Sequence, residues 1–124
     1  MKITRFEELE CWKEARHLTS QVYETTRHNS HWQGDVRLCG QVRAAAGSVM
    51  SNIAEGFVRR SNKEFLHFLF IAMPSAAEVQ SHMYIAVDQG YIGNETFESI
   101  YEQAAKTSRL TSGLITYLRT KQTK

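Results

Sequence analysis

The sequence predicts an all-α fold, an up-down-up-down antiparallel four-helix bundle in a single domain that spans residues 1–124. Glycines near Gly34, Gly56 and Gly90 divide the chain into four long segments, which is the punctuation of helices and short turns. Each segment repeats apolar residues at intervals of three and four, the period of an amphipathic helix, and none is a convincing strand. The chain is long enough for one hydrophobic core and too short for two.

Three of the four predicted helices have a local signal for where they begin. The four helices are predicted over residues 5–28, 35–57, 62–89 and 95–120. Asp35 and Asn94 are predicted N-caps, because a short polar side chain accepts a bond from an unpaired backbone N–H. Ser61 and Glu64 have the spacing of a capping box, in which hydroxyl and carboxylate each accept one such N–H.

Two glycines and a proline mark the other ends and a bend. Gly56 and Gly90 are predicted C-terminal residues of the second and third helices, since glycine enters the left-handed conformation without a clash. Pro74 lies inside the third helix, where it frees one carbonyl and is expected to bend the axis.

One apolar stripe on each helix predicts the core. Its members are Leu9, Trp12, Ala15, Leu18 and Val22; Leu38, Val42, Ala45, Val49 and Ile53; Phe65, Leu69, Ala72, Ala76, Val79 and Met83; and Phe97, Ile100, Ala104, Thr111, Ile115 and Leu118. Four such stripes, joined by short turns, are expected to face one another.

The second helix carries a band of very small side chains about opposite its apolar stripe. The band consists of Gly40, Ala44, Gly47, Ser51 and Ala54. Another helix could approach closely there. The alternative is a face exposed to solvent. Each glycine, however, costs a helix about 1 kcal/mol relative to alanine, and a band without a packing role would not offset that cost.

The third helix is apolar around most of its girth. Phe68, Phe70, Ile71, Tyr84 and Ile85 lie beyond its core stripe, so contact with another subunit is expected. The predicted oligomer interface combines this surface with the small-residue band: Gly40, Ala44, Gly47, Ser51, Phe68 and Ile71.

Charge is informative through its position. The chain has 15 basic and 13 acidic residues, so its net charge of +2 does not itself indicate a nucleic-acid binder. An antiparallel bundle, however, brings eight basic side chains to one end against five acidic ones, a net +3. We call this the basic end: Lys2, Arg5, Arg59, Arg60, Lys63, Arg119, Lys121 and Lys124 against Glu7, Glu8, Glu10, Glu55 and Glu64. The other end holds Arg27 and Arg37 against Asp35, Asp88, Glu95, Glu98 and Glu102.

The basic end predicts a phosphate-binding surface, which a cyclic oligomer would repeat as a ring. The residues expected to contact nucleic acid or another partner are Arg5, Arg59, Arg60, Lys63, Arg119 and Lys121. The alternative is a solvated surface whose cations are favourably placed near helix C-termini.

Two Glu-x-x-His spacings raise the possibility of a di-metal enzyme, since bundles that hold two metals use this spacing. Glu14 with His17 and Glu64 with His67, however, point away from the predicted apolar stripes. No phosphate loop or nucleophile motif is present in the sequence. The prediction is therefore a non-enzymatic protein without a metal or another cofactor.

The cysteines and the hydropathy indicate a reducing compartment. Cys11 and Cys39 have neither a disulfide framework nor zinc-site spacing, so free, partly buried thiols are expected. No stretch approaches the apolar length of a membrane span, and no signal core opens the chain, so a cytoplasmic location and no membrane partner are predicted.

Residues 41–56, QVRAAAGSVMSNIAEG, resemble the signature of the four-helix-bundle proteins encoded within intervening sequences of bacterial 23S ribosomal RNA genes. Further motifs follow that family's order: Phe6, Leu9, Trp12 and Ala15; Arg60 and Ser61; Glu64, Phe65 and Phe68; Ser75 and Glu78; and the turn Gly90-Tyr91-Ile92. The resemblance covers nearly the whole chain. Pro74 departs from the family's Ala-x-Gly-Ser pattern, which puts the local packing of the third helix in doubt.

The resemblance implies partners but no activity. The family is similar in fold to the accessory variability determinant of diversity-generating retroelements, a basic pentameric bundle that binds its reverse transcriptase and nucleic acid. It thus implies a homo-oligomer, with a pentamer as the implied state, and RNA, DNA or a nucleic-acid enzyme such as a reverse transcriptase as partner. In the matching motif turn, Asn52 and Glu55 beside Gly56 either bond backbone groups around the turn or bind a partner.

Together these observations predict an oligomeric binding or scaffold protein that engages nucleic acid, or a nucleic-acid enzyme, through its basic end. A purely structural homo-oligomer is the main alternative, and the di-metal carboxylate enzyme is a weaker one.

Overall fold

The computed structural model describes residues 2–122, which form five α-helices and one short 3₁₀ turn. The helices are α1 (Glu10–Arg27), α2 (Ser30–Gly34), α3 (Val36–Val58), α4 (Asn62–Asp88) and α5 (Asn94–Gln122), and the 3₁₀ turn covers Phe6–Glu8. No strand occurs among these residues, so the predicted all-α class is confirmed. None of the described helices is long and apolar enough to cross a membrane.

The four long helices pack around a common core. α1 and α4 each lie against both α3 and α5. The predicted stripes are buried, except that Trp12 and Phe97 are partly exposed at the edge of the core. Two threonines, Thr107 and Thr111, also lie in the core, where each hydroxyl donates to the carbonyl four residues earlier at 2.8 Å. These bonds satisfy the hydroxyl donors within α5 itself.

A short helix that the apolar period did not predict covers one end of the core. Trp32 in α2 is fully buried, and Asn29 caps α2 by accepting from the Trp32 backbone N–H at 3.0 Å. The Tyr91 ring stacks on Trp32 with centroids 6.2 Å apart, and its hydroxyl donates to Asp35 at 3.0 Å. The Asn29 side-chain amide also donates to the Tyr91 carbonyl, so the two connecting segments at this end are held together.

Most of the predicted helix ends are confirmed. The Asp35 carboxylate accepts from the Leu38 N–H at 3.1 Å, and the Ser61 hydroxyl accepts from the Glu64 N–H at 3.2 Å. Gly90 has a φ of +77°, in the left-handed region that favours glycine. The N-cap prediction for Asn94 was wrong by one residue, because Asn94 is already helical and the Phe97 N–H bonds to the Gly93 carbonyl. α4 continues unbroken through Pro74.

Both cysteines are free, as predicted, and both are buried rather than partly buried. Burial raises the pKa of the Cys11 thiol from 9.0 to about 11, since the apolar surroundings disfavour the thiolate. The folded protein therefore holds the thiol proton more tightly than the unfolded chain.

Raising the pH from 9 to 11 is expected to destabilise the protein by about 2 kcal/mol relative to a Cys11→Ala variant. The contribution of the protonated thiol is complete below the ordinary thiol pKa and is lost as the pH rises through the raised value. Urea unfolding of both proteins from pH 8 to 11.5 measures the difference, and an unchanged gap across that range would contradict the assignment.

Candidate nucleic-acid interface

The turn between α3 and α4 meets the last turns of α5 around an open cleft of about 440 Å³, which we call the basic cleft. It is lined by Phe57, Arg59, Arg60, Ser61, Asn62, Phe65, Tyr117, Leu118 and Lys121. The Ser61 cap fixes the turn by starting α4 directly after two arginines. The structure thus brings Arg59, Arg60 and Lys121, three of the six predicted contact residues, to one concavity.

A second cleft, of about 590 Å³, lies on the other side of the same turn. Its lining consists of Arg59, Ser61, Lys63, Glu64, His67 and Phe68. Arg59 and Ser61 belong to both clefts, so the turn forms a ridge between them. The ridge places Lys63, a fourth predicted contact residue, beside the second cleft.

Arg59 is the least available of these cations. Its guanidinium lies 3.5 Å from a Glu55 carboxylate oxygen and 3.8 Å from one of Glu64, and it stacks over the Phe68 ring at 5.0 Å. Exposed ion pairs are weak individually, but here two carboxylates share one cation. Much of the charge of Arg59 is therefore neutralised within the chain.

Arg60 and Lys63 are exposed and form no ion pair with the residues that the structure describes. The Lys121 ammonium lies 5.5 Å from the Tyr117 ring centroid, and the Arg119 guanidinium lies 5.0 Å from that of Phe70. Aromatic faces attract these two cations without neutralising them. Arg60, Lys63 and Lys121 are thus the strongest sources of uncompensated positive charge at the clefts.

Two predicted contact residues, Arg5 and Arg119, line neither cleft. Arg5 precedes the 3₁₀ turn, pairs with Glu7 at 3.1 Å and lines neither cleft. The hydrogen bond that Arg5 donates to the Glu7 carboxylate raises the pKa of Arg5 above its ordinary value, so the guanidinium stays charged but is partly compensated. Lys124 lies outside the described residues.

Asn52 and Glu55 of the motif turn bond groups other than those that the sequence predicted. The Asn52 amide donates to the Ser48 carbonyl at 2.8 Å and to its hydroxyl at 3.0 Å, and so reaches back into its own helix. Glu55 accepts from the Arg59 side chain, four residues on. The expected bonds from Asn52 and Glu55 to the backbone of the turn are not among those of the described residues.

Gly56 corrects the prediction that it ends a helix in the left-handed conformation. It lies within α3, which continues to Val58, and it is buried against α4. A Cβ at this position would lie 2.8 Å from the Phe68 Cβ, 3.0 Å from the Phe65 ring and 3.2 Å from the Phe65 carbonyl. Glycine is required here because two helices approach each other closely.

The described residues leave most of the small-residue band of α3 uncovered. Gly40, Ala44 and Ser51 are exposed, and a Cβ at Gly40 or Gly47 would meet nothing within 4 Å. On α4, Ile71 is 40% exposed, whereas Phe68 is partly buried beside Gly56 and Arg59. The interface assigned to these six residues stays a prediction, and Phe68 already has partners in its own chain.

The Glu-x-x-His pairs do not converge. Glu14 accepts from the Gln103 amide at 2.7 Å and pairs with Lys106 at 3.6 Å, whereas Glu64 accepts from the Ser61 hydroxyl at 3.2 Å. His17 and His67 are exposed. Within residues 2–122, no three His, Cys, Asp or Glu side chains lie close enough together to hold a metal ion.

Sequence reasoning missed the rings at the basic cleft. Phe57 from α3 and Tyr117 from α5 are both partly buried and border it. The sequence feature that could have indicated them is the four-residue spacing of Tyr117 and Lys121, which places an aromatic ring and an ammonium on one face of a helix.

Comparisons with known proteins agree with this architecture. The family model of the 23S rRNA-intervening sequence protein matches residues 7–113. A solved structure of a protein with unknown function from the S23 ribosomal protein family of Bacteroides thetaiotaomicron superimposes with a TM-score of 0.79. The match covers 86% of this chain and 95% of that one at 20% identity, which shows a shared fold. No curated protein sequence matches the chain.

Proposed function

The chain belongs to the 23S rRNA-intervening sequence protein family, and from that premise we propose that it is a non-enzymatic, homo-oligomeric binding protein that contacts nucleic acid through its basic end. The proposal includes a cytoplasmic location and requires neither a cofactor nor a catalytic step. A nucleic-acid enzyme that presents phosphate-like acidic groups is the other partner considered for the same surface.

The charge of the two clefts carries the proposal. Their lining includes four basic side chains, Arg59, Arg60, Lys63 and Lys121, and one carboxylate, that of Glu64. Phosphate groups are attracted to clustered Arg and Lys, and binding is strengthened by release of the counterions that surround nucleic acid. Because Arg60, Lys63 and Lys121 are not paired with described carboxylates, they can exchange water for phosphate without first breaking an ion pair.

The proposal needs an up-down-up-down order of the long helices, which we infer from pairs of contacts. Thr19 of α1 donates to the Ala46 carbonyl of α3, and Arg43, earlier in α3, donates to Thr26, later in α1. The same reversal relates the other neighbours: Gly56 faces Phe68 while Ser48 bonds Ser75, Tyr84 packs on Phe97 while Arg119 stacks over Phe70, and Gln21 bonds Ser99 while Glu14 bonds Gln103.

Self-association is supported by surfaces that the chain leaves open. Phe70, Ile71, Tyr84 and Ile85 of α4 are between 40% and 51% exposed. Exposed apolar surface of this kind is typical of contacts between proteins, and the uncovered band on α3 would permit close approach of another helix. A purely structural homo-oligomer is therefore the second candidate, and it needs no ligand at the basic end.

Salt-titrated binding distinguishes the two candidates. Protein whose oligomeric state is determined by light scattering is titrated with labelled RNA and DNA oligonucleotides from 50 to 300 mM KCl. Three phosphate contacts per protomer predict a slope of about −2 for log K against log salt with a single strand. Undetectable binding at 50 mM, or a slope near zero, would leave the structural oligomer. A strict monomer at micromolar concentration would remove self-association.

A further inference from the structure

The shape of the basic end limits the form of nucleic acid that fits it. Proteins that read duplex grooves insert a protruding helix or ribbon. At the basic end, Arg60 and Lys121 instead line a concave cleft of about 440 Å³, a size within the range of small-ligand sites. A concavity of this size can admit a base that has left the stack, whereas the bases of a duplex present only their edges.

The rings that border the basic cleft are suited to such a base. Phe57 and Tyr117 come from different helices, and Phe65 also lines the cleft, edge-on to Phe57 with centroids 5.9 Å apart. The Lys121 ammonium sits 5.5 Å from the Tyr117 ring centroid. Single-strand binding proteins combine these two elements, with aromatic faces for the bases and cations for the backbone.

The ridge supplies a path out of the cleft. Ser61 borders both clefts, with Arg60 on one side and Lys63 on the other. A backbone that leaves the basic cleft past Arg60 therefore meets a further uncompensated cation as it crosses the turn.

We propose that the basic cleft is a site for single-stranded nucleic acid. One unstacked base lies against Tyr117 and Phe57, the neighbouring phosphates contact Arg60 and Lys121, and the strand crosses the ridge toward Lys63. This inference rests on the proposed function, since it requires nucleic acid to be the ligand, and adds which form is bound and which uncharged groups bind it.

The test compares labelled 12-nucleotide single strands of RNA and of DNA with the corresponding duplexes, at 50 mM salt and with the full chain. Fluorescence anisotropy is measured for the wild type, for Tyr117→Leu and for Tyr23→Leu, a matched control whose exposed ring on α1 lines neither cleft. Phe57→Leu is a second variant that keeps apolar volume but removes a ring. Circular dichroism melts confirm that each variant folds.

Single strands are expected to bind at least about ten-fold more tightly than duplexes. Tyr117→Leu and Phe57→Leu are each expected to weaken single-strand binding about five-fold or more, and Tyr23→Leu less than about two-fold. Single strands and duplexes that bind equally well, with no effect of either ring, would overturn the single-strand site and leave the proposed function intact. Undetectable binding of every oligonucleotide would overturn both. If RNA and DNA single strands differ in affinity but both lose binding in the two ring variants, the result would still support the site.

Discussion

Replacing Arg60, Lys63 and Lys121 together by glutamate is expected to lower the affinity for nucleic acid about a hundred-fold or more at 50 mM salt. Each phosphate contact contributes about 0.7 to the salt slope of a single strand, which amounts to about eight-fold in affinity at that salt concentration. The affinity losses from the three contacts multiply, and the introduced carboxylates also repel the phosphates. The slope itself is expected to fall toward zero.

This triple variant avoids a complication at Arg59. Reversal of Arg59 would place a third carboxylate beside Glu55 and Glu64, and so would disturb the end of α3 as well as binding. The matched control reverses three exposed arginines elsewhere, Arg16, Arg37 and Arg109, and makes the same change in net charge. Equal losses in the two triple variants would show that only overall charge matters, and would contradict a defined surface.

Gly56→Ala is expected to lower the free energy of unfolding by about 1–3 kcal/mol, despite the better helix propensity of alanine. The added Cβ would lie 2.8 Å from the Phe68 Cβ, an atom that cannot move without its helix. Either α4 shifts away from α3 or a neighbouring side chain leaves its preferred rotamer. Urea unfolding, monitored by circular dichroism, measures the loss.

Gly113→Ala, in α5 and outside the small-residue band, is the control, and the opposite sign is expected. A Cβ at Gly113 would meet nothing within 4 Å, so the variant should gain up to about 1 kcal/mol in helix propensity. If both alanines stabilise the protein equally, the close approach of α3 and α4 at Gly56 would be wrong.

The helices and most of the core were predictable because their signals are local. Leu18, Val42 and Met83 recur at the helical period on their own segments, and each is fully buried in the structure. Ser61 likewise caps its helix through residues only three positions away. Such features need no knowledge of which helices become neighbours.

Features that depend on neighbours were missed or misread. Gly56 has the position of a C-cap in the sequence, and only the approach of α4 shows why glycine is needed. Trp32 lies in a segment too short to show a helical repeat of apolar residues, and it is covered by Tyr91, which is distant in the sequence. Counting charges gave Arg59 the same weight as Arg60, because the pairing of Arg59 with Glu64 arises only after the turn has formed.

Mapping the bound strand by photo-crosslinking tests most directly whether the basic end is the nucleic-acid surface. A single strand that carries 4-thiouridine is irradiated in complex with the full chain, and the attached peptides are identified by mass spectrometry. The account predicts attachment within residues 57–68 and 117–121, the segments that carry the residues lining the two clefts. Attachment concentrated instead around α2, or along the small-residue band of α3, would contradict it.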